Sequence, residues 1–145
     1  MRAPDLIIGP KDNPYIHRWH LWRWRGWQLS LHKIFRSDDD RALHDHTANN
    51  VSFILKGWYS DITGRRGAYK VKHCRRFSLI FRKAETPHRI FVHTAAPVWT
   101  LWLRGPPRRE WGFHCPQGWR HWKQFVASQD YSQPGSVSEA GPGCN

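Results

Sequence analysis

The sequence predicts an all-β chain folded as a single domain, a sandwich or a barrel. Between about residues 15 and 125, short runs rich in aromatic and β-branched residues alternate with turn signals. In the clearest of them Trp27, Leu29 and Leu31 alternate with Gln28, Ser30 and His32, the period of two of a half-buried strand. No long helical periodicity competes with this pattern. At 145 residues with 39% hydrophobic content, the chain can bury one core but not two.

Residues 1–14, with Pro4, Gly9, Pro10 and Pro14, read as an irregular lead-in. Strands are expected at 16–24, 27–35, 51–62, 68–74, 77–81, 89–93, 98–103 and 111–114, all within a β domain spanning 15–125. Turn residues separate them: Arg25-Gly26, the acidic stretch 37–40, and the breaks at 64–67, 95–97 and 105–107. Residues 126–145 contain no Lys or Arg and are rich in Ser, Gly and Pro, the composition of a flexible tail. Cys74, Cys115 and Cys144 form neither a CxxC pair nor an even set, so Cys144 reads as incidental and a reducing, cytoplasmic setting is expected. Leu6-Ile7-Ile8 is too short for the apolar part of a signal peptide, and no apolar run approaches a membrane span.

The formal net charge of +12, from 23 Lys and Arg against 11 Asp and Glu, attracts anions. The basic residues are spread from Arg2 to Lys123 and not gathered in one block, which favours a small anionic molecule as partner over nucleic acid, the alternative. No membrane partner is expected. The stretch 18–27, dense in Trp and Arg, reads as a strand with its apolar residues inward and its arginines outward, in preference to a stacking platform for bases.

The chemistry concentrates in residues 41–57. Residues two apart on a strand share a face, so His44 and His46 project together while Asp45 turns away. Two imidazoles side by side can chelate a divalent ion, and a third ligand from another strand would complete a site with open positions for substrate. Asn50, Ser52 and Ile54 share one parity and are expected to line the interior. Arg41 has the fork geometry to anchor a substrate carboxylate, or to pair with the aspartates before it. His114, beside Cys115, is a candidate at the mouth of the fold. Asp38-Asp39-Asp40 lacks the spaced ligands of a calcium loop and reads as a solvated turn.

His44-x-His46, Asn50 four residues on and Gly57 after six more resemble the first motif of the cupin superfamily. Residues 77–88, ending in Thr86-Pro87-His88, are similar to its second motif. The resemblance covers about residues 27–103; the chain also looks like uncharacterised small proteins of bacteria and their phages. It implies a single-domain cupin, a double-stranded β-helix or jelly-roll barrel, in which His88 joins His44 and His46 as metal ligand. Asn50 stands where cupins usually carry an acidic ligand, as a ligand or a group beside the metal. Asp38, Phe77, Lys83 and Glu85 depart from the usual Gly, Gly, Pro and Gly of the two motifs. The resemblance implies one divalent ion, Fe(II) favoured over Zn, Ni or Mn, and a dioxygenase-like reaction on a small anionic substrate. The alternatives are a metal-dependent sugar or keto-acid isomerase or epimerase, and a non-enzymatic ligand- or nucleic-acid-binding module. Cupins often form homodimers.

Overall fold

The computed structural model describes residues 2–10, 12–38, 42–65, 67–126 and 141–145. Two six-stranded antiparallel sheets pack face to face. The first runs β1 (Leu6–Ile8), β2 (Ile16–Trp24), β3 (Trp27–Ile34), β10 (Val98–Arg104), β5 (Asn50–Lys56) and β8 (Leu79–Arg82). The second runs β12 (Gly118–His121), β11 (Gly112–Cys115), β4 (Leu43–His44), β9 (His88–Val92), β6 (Tyr59–Arg65) and β7 (Ala68–Cys74). A one-turn helix, α1 (Trp122–Phe125), follows β12. No helix among the described residues is long and apolar enough to cross a membrane.

The expected strands are present, with four differences that have physical causes. The run 51–62 is two strands, β5 and β6, because Gly57 takes φ +78° and lets the chain pass from one sheet to the other. A side chain there would also press on Val98, whose Cγ2 lies 3.1 Å from a Cβ placed on Gly57. The lead-in is not wholly irregular, since Leu6, Ile7 and Ile8 pair with Ile16, His17 and Arg18. β4 and β12, too short to leave a periodic signature, escaped the sequence pattern. Finally, Cys144 is not incidental: it forms a disulfide with Cys115 across a separation of 29 residues, leaving Cys74 as the buried free cysteine. Gly143 N–H donates to Phe125 O, so residues 141–145 close back onto α1. A disulfide persists in oxidising compartments, and cysteine usage therefore gives no support to a cytoplasmic setting. Residues 127–140 of the expected tail lie outside the described residues.

The inner face of the first sheet grades from apolar to cationic. Directly paired residues share a face, so the register defines lateral rows. Ile16, Ile34 and Val98 form one row at the apolar end, where they join the buried cluster with Ile54, Tyr59, Cys74 and Ile80. Arg18, His32, Thr100 and Ile54 form the next, and His20, Ser30, Trp102, Ser52 and Ile80 the one after. The last row is Arg23, Gln28, Arg104, Asn50 and Arg82. The Trp/Arg stretch is thereby corrected: Arg18 turns toward the interior, while Trp22 and Trp24 are about half exposed, at 48% and 56%. For Trp22 and Trp24 the reason is a bulge between His20 and Trp22, which shifts the parity and puts Arg23 where Trp22 would have stood, while Arg18, before the bulge, faces inward by pairing with His32. The alternation of β3 is likewise inverted, with Gln28, Ser30 and His32 buried and Leu29 and Leu31 only half-buried.

Ile54 is fully buried in the apolar cluster. Ile54→Ala is expected to lower stability by about 2–4 kcal/mol, through lost burial and a residual cavity, while Ile54→Val loses about 1 kcal/mol. Urea unfolding followed by tryptophan fluorescence checks both values.

Candidate metal centre

β4 and β9 meet so that His44 and His88 are direct cross-strand partners, their ring centroids 4.7 Å apart. His46 lies just beyond β4, held where its backbone N–H donates to Ala84 O, and its ring sits 5.2 Å from that of His44 and 5.0 Å from that of His88. The expected trio is thus brought together, one ligand nitrogen of each within 4.8 Å of the others. Small side-chain rotations from such a spacing close three imidazoles onto one ion at about 2.1 Å. The second sheet supplies His44 and His88, and the segment that leaves β4 supplies His46.

The protonation of the trio suits a ligand set. His88 Nδ1 lies 2.7 Å from Asp61 Oδ1, and because a carboxylate only accepts, the ring proton belongs on Nδ1. That leaves the His88 Nε2 lone pair facing His46 Nε2, 2.8 Å away. With His88 Nδ1 holding its proton, His46 Nε2 is the donor across this contact, and loss of that proton would free both nitrogens as donors to a metal ion. Asp61 is itself held by Arg82, Nη2 to Oδ2 at 2.8 Å, and Arg82 reaches on to Ser52 Oγ at 3.2 Å and Tyr59 Oη at 3.3 Å. Burial, then the positive Arg82, push the His44 imidazole down to about 4. Burial likewise holds His46 and His88 well below the ordinary histidine range, reinforced by neighbouring histidines and Arg82. All three are neutral bases at neutral pH, the state that binds a metal.

The other candidates fall elsewhere. Ser52 accepts from Arg82, and Ile54 belongs to the apolar cluster. Asn50 is 2% exposed; its Nδ2 donates to Ala48 O at 3.5 Å, and its Oδ1 is buried without a hydrogen-bond partner. His114 pairs with Asp45, 3.0 Å from its Oδ2, as do Trp119 Nε1 and Arg109 Nη1. Asp45 therefore faces away from the histidines, as its parity requires, and ties β11 to the chain beside β4. Asp38, expected in a solvated turn, is 8% exposed and accepts from Ile90 N–H at 2.6 Å, because Ser37 and Asp38 both bond to the edge of β9. Arg41, Asp39 and Asp40 lie outside the described residues. Sequence reasoning missed Asp61 and Arg82: Asp61 stands among polar residues of Tyr59–Arg65 and Arg82 ends Leu79–Arg82 beside Lys83, so neither leaves a local signal.

No family model matches the chain, and no curated protein matches it. Solved structures do. The hydroxypropylphosphonic acid epoxidase HppE from S. wedmorenis matches with a TM-score of 0.56 at 16% identity, over 72% of this chain and 58% of that one. The Fe(II) form of HppE with the alternative substrate (S)-1-HPP matches with a TM-score of 0.58 at 16% identity, over 72% and 59%. A cupin superfamily protein from Desulfitobacterium hafniense matches with a TM-score of 0.51 at 13% identity, over 73% of this chain and 99% of that one. The chain thus spans less than three fifths of the epoxidase's length. At these identities the likeness shows the fold, and the fold is the jelly-roll barrel of the cupins.

Two outcomes follow from the histidine environment. An imidazole whose folded value is about 4 binds its proton less readily than in the unfolded chain, where the value is about 6.5. The unfolded state takes up more protons between those values, so metal-free protein is expected to lose stability as pH falls from 6.5 to 4, by on the order of 3 kcal/mol from His44 alone. Urea midpoints at pH 7 and pH 4.5 measure this, and a flat profile would contradict it. Asp61→Asn removes the charge that orients His88 and is expected to weaken metal binding about 10- to 100-fold, read by competition with a chromogenic chelator.

Proposed function

We propose that this cupin-fold protein is a metal-dependent enzyme that holds one divalent ion, Fe(II) in preference, through His44, His46 and His88 and oxidises a small anionic molecule with dioxygen. The observation that carries this reading is the convergence of three neutral imidazoles, one of them fixed in its tautomer by Asp61. When bound, such an ion supplies Lewis acidity and redox chemistry at coordination positions that the protein leaves open.

The residues of the chain do the rest. The imidazoles donate lone pairs without bringing negative charge, and the carboxylate of Asp61 is already balanced by Arg82. The charge of the ion is therefore not cancelled by its ligands, and the site attracts an anion. Ser52 and Tyr59 hold the Arg82 guanidinium in place, which keeps Asp61 aimed at His88. HppE, solved as an Fe(II) protein, is a precedent for iron on this fold.

The test begins with elemental analysis of protein purified without a histidine tag and incubated with Fe, Mn, Ni and Zn. One equivalent of metal is expected in the native chain and less than about a tenth in a His46→Ala/His88→Ala variant. Oxygen uptake that depends on Fe(II) and on an added hydroxy acid or phosphonate supports the oxidative reading. Stoichiometric metal without oxygen uptake under any of these conditions would move the reaction to the isomerase or epimerase class. Absence of metal from both proteins would remove the enzyme reading and leave a binding module.

A further inference from the structure

The cationic row of the first sheet contains two buried polar atoms that nothing satisfies. Among the described residues, the buried side-chain atoms without a hydrogen-bond partner are Asn50 Oδ1 and Arg104 Nη1. They are not independent, because Asn50 and Arg104 are paired residues on adjacent strands β5 and β10. One is an acceptor and the other a charged donor, side by side on one face. Buried polar groups are almost always partnered, and leaving both unmet in one place loses the worth of two hydrogen bonds.

Arg104 is held in position by its neighbours and left without a counter-charge. Its Nη2 donates to Gln28 Oε1 at 3.4 Å, and Gln28 Nε2 donates to Ser30 Oγ at 2.9 Å. Arg18 lies within electrostatic reach of Arg104; it is fixed by donating to His32 Nε2 at 2.9 Å and by lying 4.8 Å over the Trp102 ring. Burial and the nearby Arg104 and Arg23 push the Arg18 guanidinium down to about 10, the mark of positive charges crowded together. None of Arg18, Arg23 and Arg104 makes an ion pair among the described residues, while Arg82 at the far end of the row is neutralised by Asp61. An open surface cleft of about 390 Å³ lies against the end of the row, with Arg23, Gln28 and Arg104 of the row in its lining beside Trp24 and Trp27.

We propose that Arg104 and Asn50 form a subsite for a small oxyanion that carries its own hydroxyl group, such as a short hydroxy acid. Arg104 Nη1 donates to an anionic oxygen, with Arg18 and Arg23 adding charge, and Asn50 Oδ1 accepts from the hydroxyl. The identification of this ligand as the substrate rests on the proposed function; the anion site itself does not. Asn50 is on this assignment a substrate acceptor and not a metal ligand.

The experiment uses the full-length chain, freed of metal with a chelator and dialysed, and follows arginine Nε–H and indole N–H resonances during titration with glycolate and with acetate. Both anions are expected to bind saturably, glycolate about threefold or more tighter, the worth of one added neutral hydrogen bond. Arg104→Gln is expected to weaken both about tenfold or more, as loss of a charge-assisted bond does, and Arg104→Lys to restore part of the loss. Asn50→Ala should keep acetate binding, erase the preference for glycolate and leave metal stoichiometry unchanged. Equal affinity for the two anions in the native chain, which needs no variant, overturns the proposal, as does no saturable binding. Native affinity in Arg104→Gln overturns it too, and loss of metal in Asn50→Ala returns that residue to the metal. Because the titrations are done without metal, failure of the metal-enzyme reading leaves their outcome intact, and failure of the anion site leaves the metal analysis intact.

Discussion

A single buried carboxylate joins the two sheets and decides the chemistry between them. Asp61, 3% exposed on β6, accepts from Arg82 of the opposite sheet and from His88 of its own. Removing one partner from such an arrangement costs about 3–5 kcal/mol, since it strands a charge in low dielectric. The count of charges matters as much as the geometry. Arg82 cancels Asp61, so a proton on His88 would leave a net positive charge buried with no counter-ion. Neutral His88 is the consequence, and with Nδ1 committed to Asp61 its remaining lone pair faces His46.

This network also explains the apparent inversion of the first sheet. A strand packed against a plain core buries its apolar residues, yet β3 buries Gln28, Ser30 and His32. The inner face can be polar there because each group meets another: Gln28 with Ser30 and Arg104, His32 with Arg18, Ser52 with Arg82. The apolar work is done at the other end of the barrel, by Ile16, Ile34, Ile54, Ile80 and Val98 of the first sheet with Tyr59 and Cys74 from the facing one. The outer face of the first sheet carries the displaced apolar side chains, with Leu79 and Phe81 66% and 62% exposed.

Most of the fold and the pairing of His44 with His46 could be read from the sequence because they obey local rules, whereas His88 came only through the likeness of residues 77–88 to the second cupin motif. Strand period, turn residues and the i, i+2 parity of His44 and His46 are properties of neighbouring residues. What escaped depends on long-range pairing. Arg82 and Asp61 stand 21 residues apart, and the disulfide joins residues 29 apart. The bulge after His20 moves one residue and thereby puts Arg23, not Trp22, in the inward row. Parity predicts a shared face only until such a shift, and a bulge leaves no trace in composition.

The asparagine at position 50 is best understood through its neighbours in the row. It stands between Arg104 on β10 and Arg82 on β8, each a direct cross-strand partner. A carboxylate in that place would draw Arg104 into an internal ion pair, as Asp61 has drawn Arg82, and would compete with Asp61 for Arg82 itself. Both effects work against the site: one would fill the unsatisfied Nη1, the other would loosen the carboxylate that orients His88. An amide avoids both, because it brings an acceptor without a charge. Asn50 thus suits its place between the two arginines. It keeps the positive potential of the row uncancelled and leaves a donor and an acceptor, side by side, for something that enters from outside.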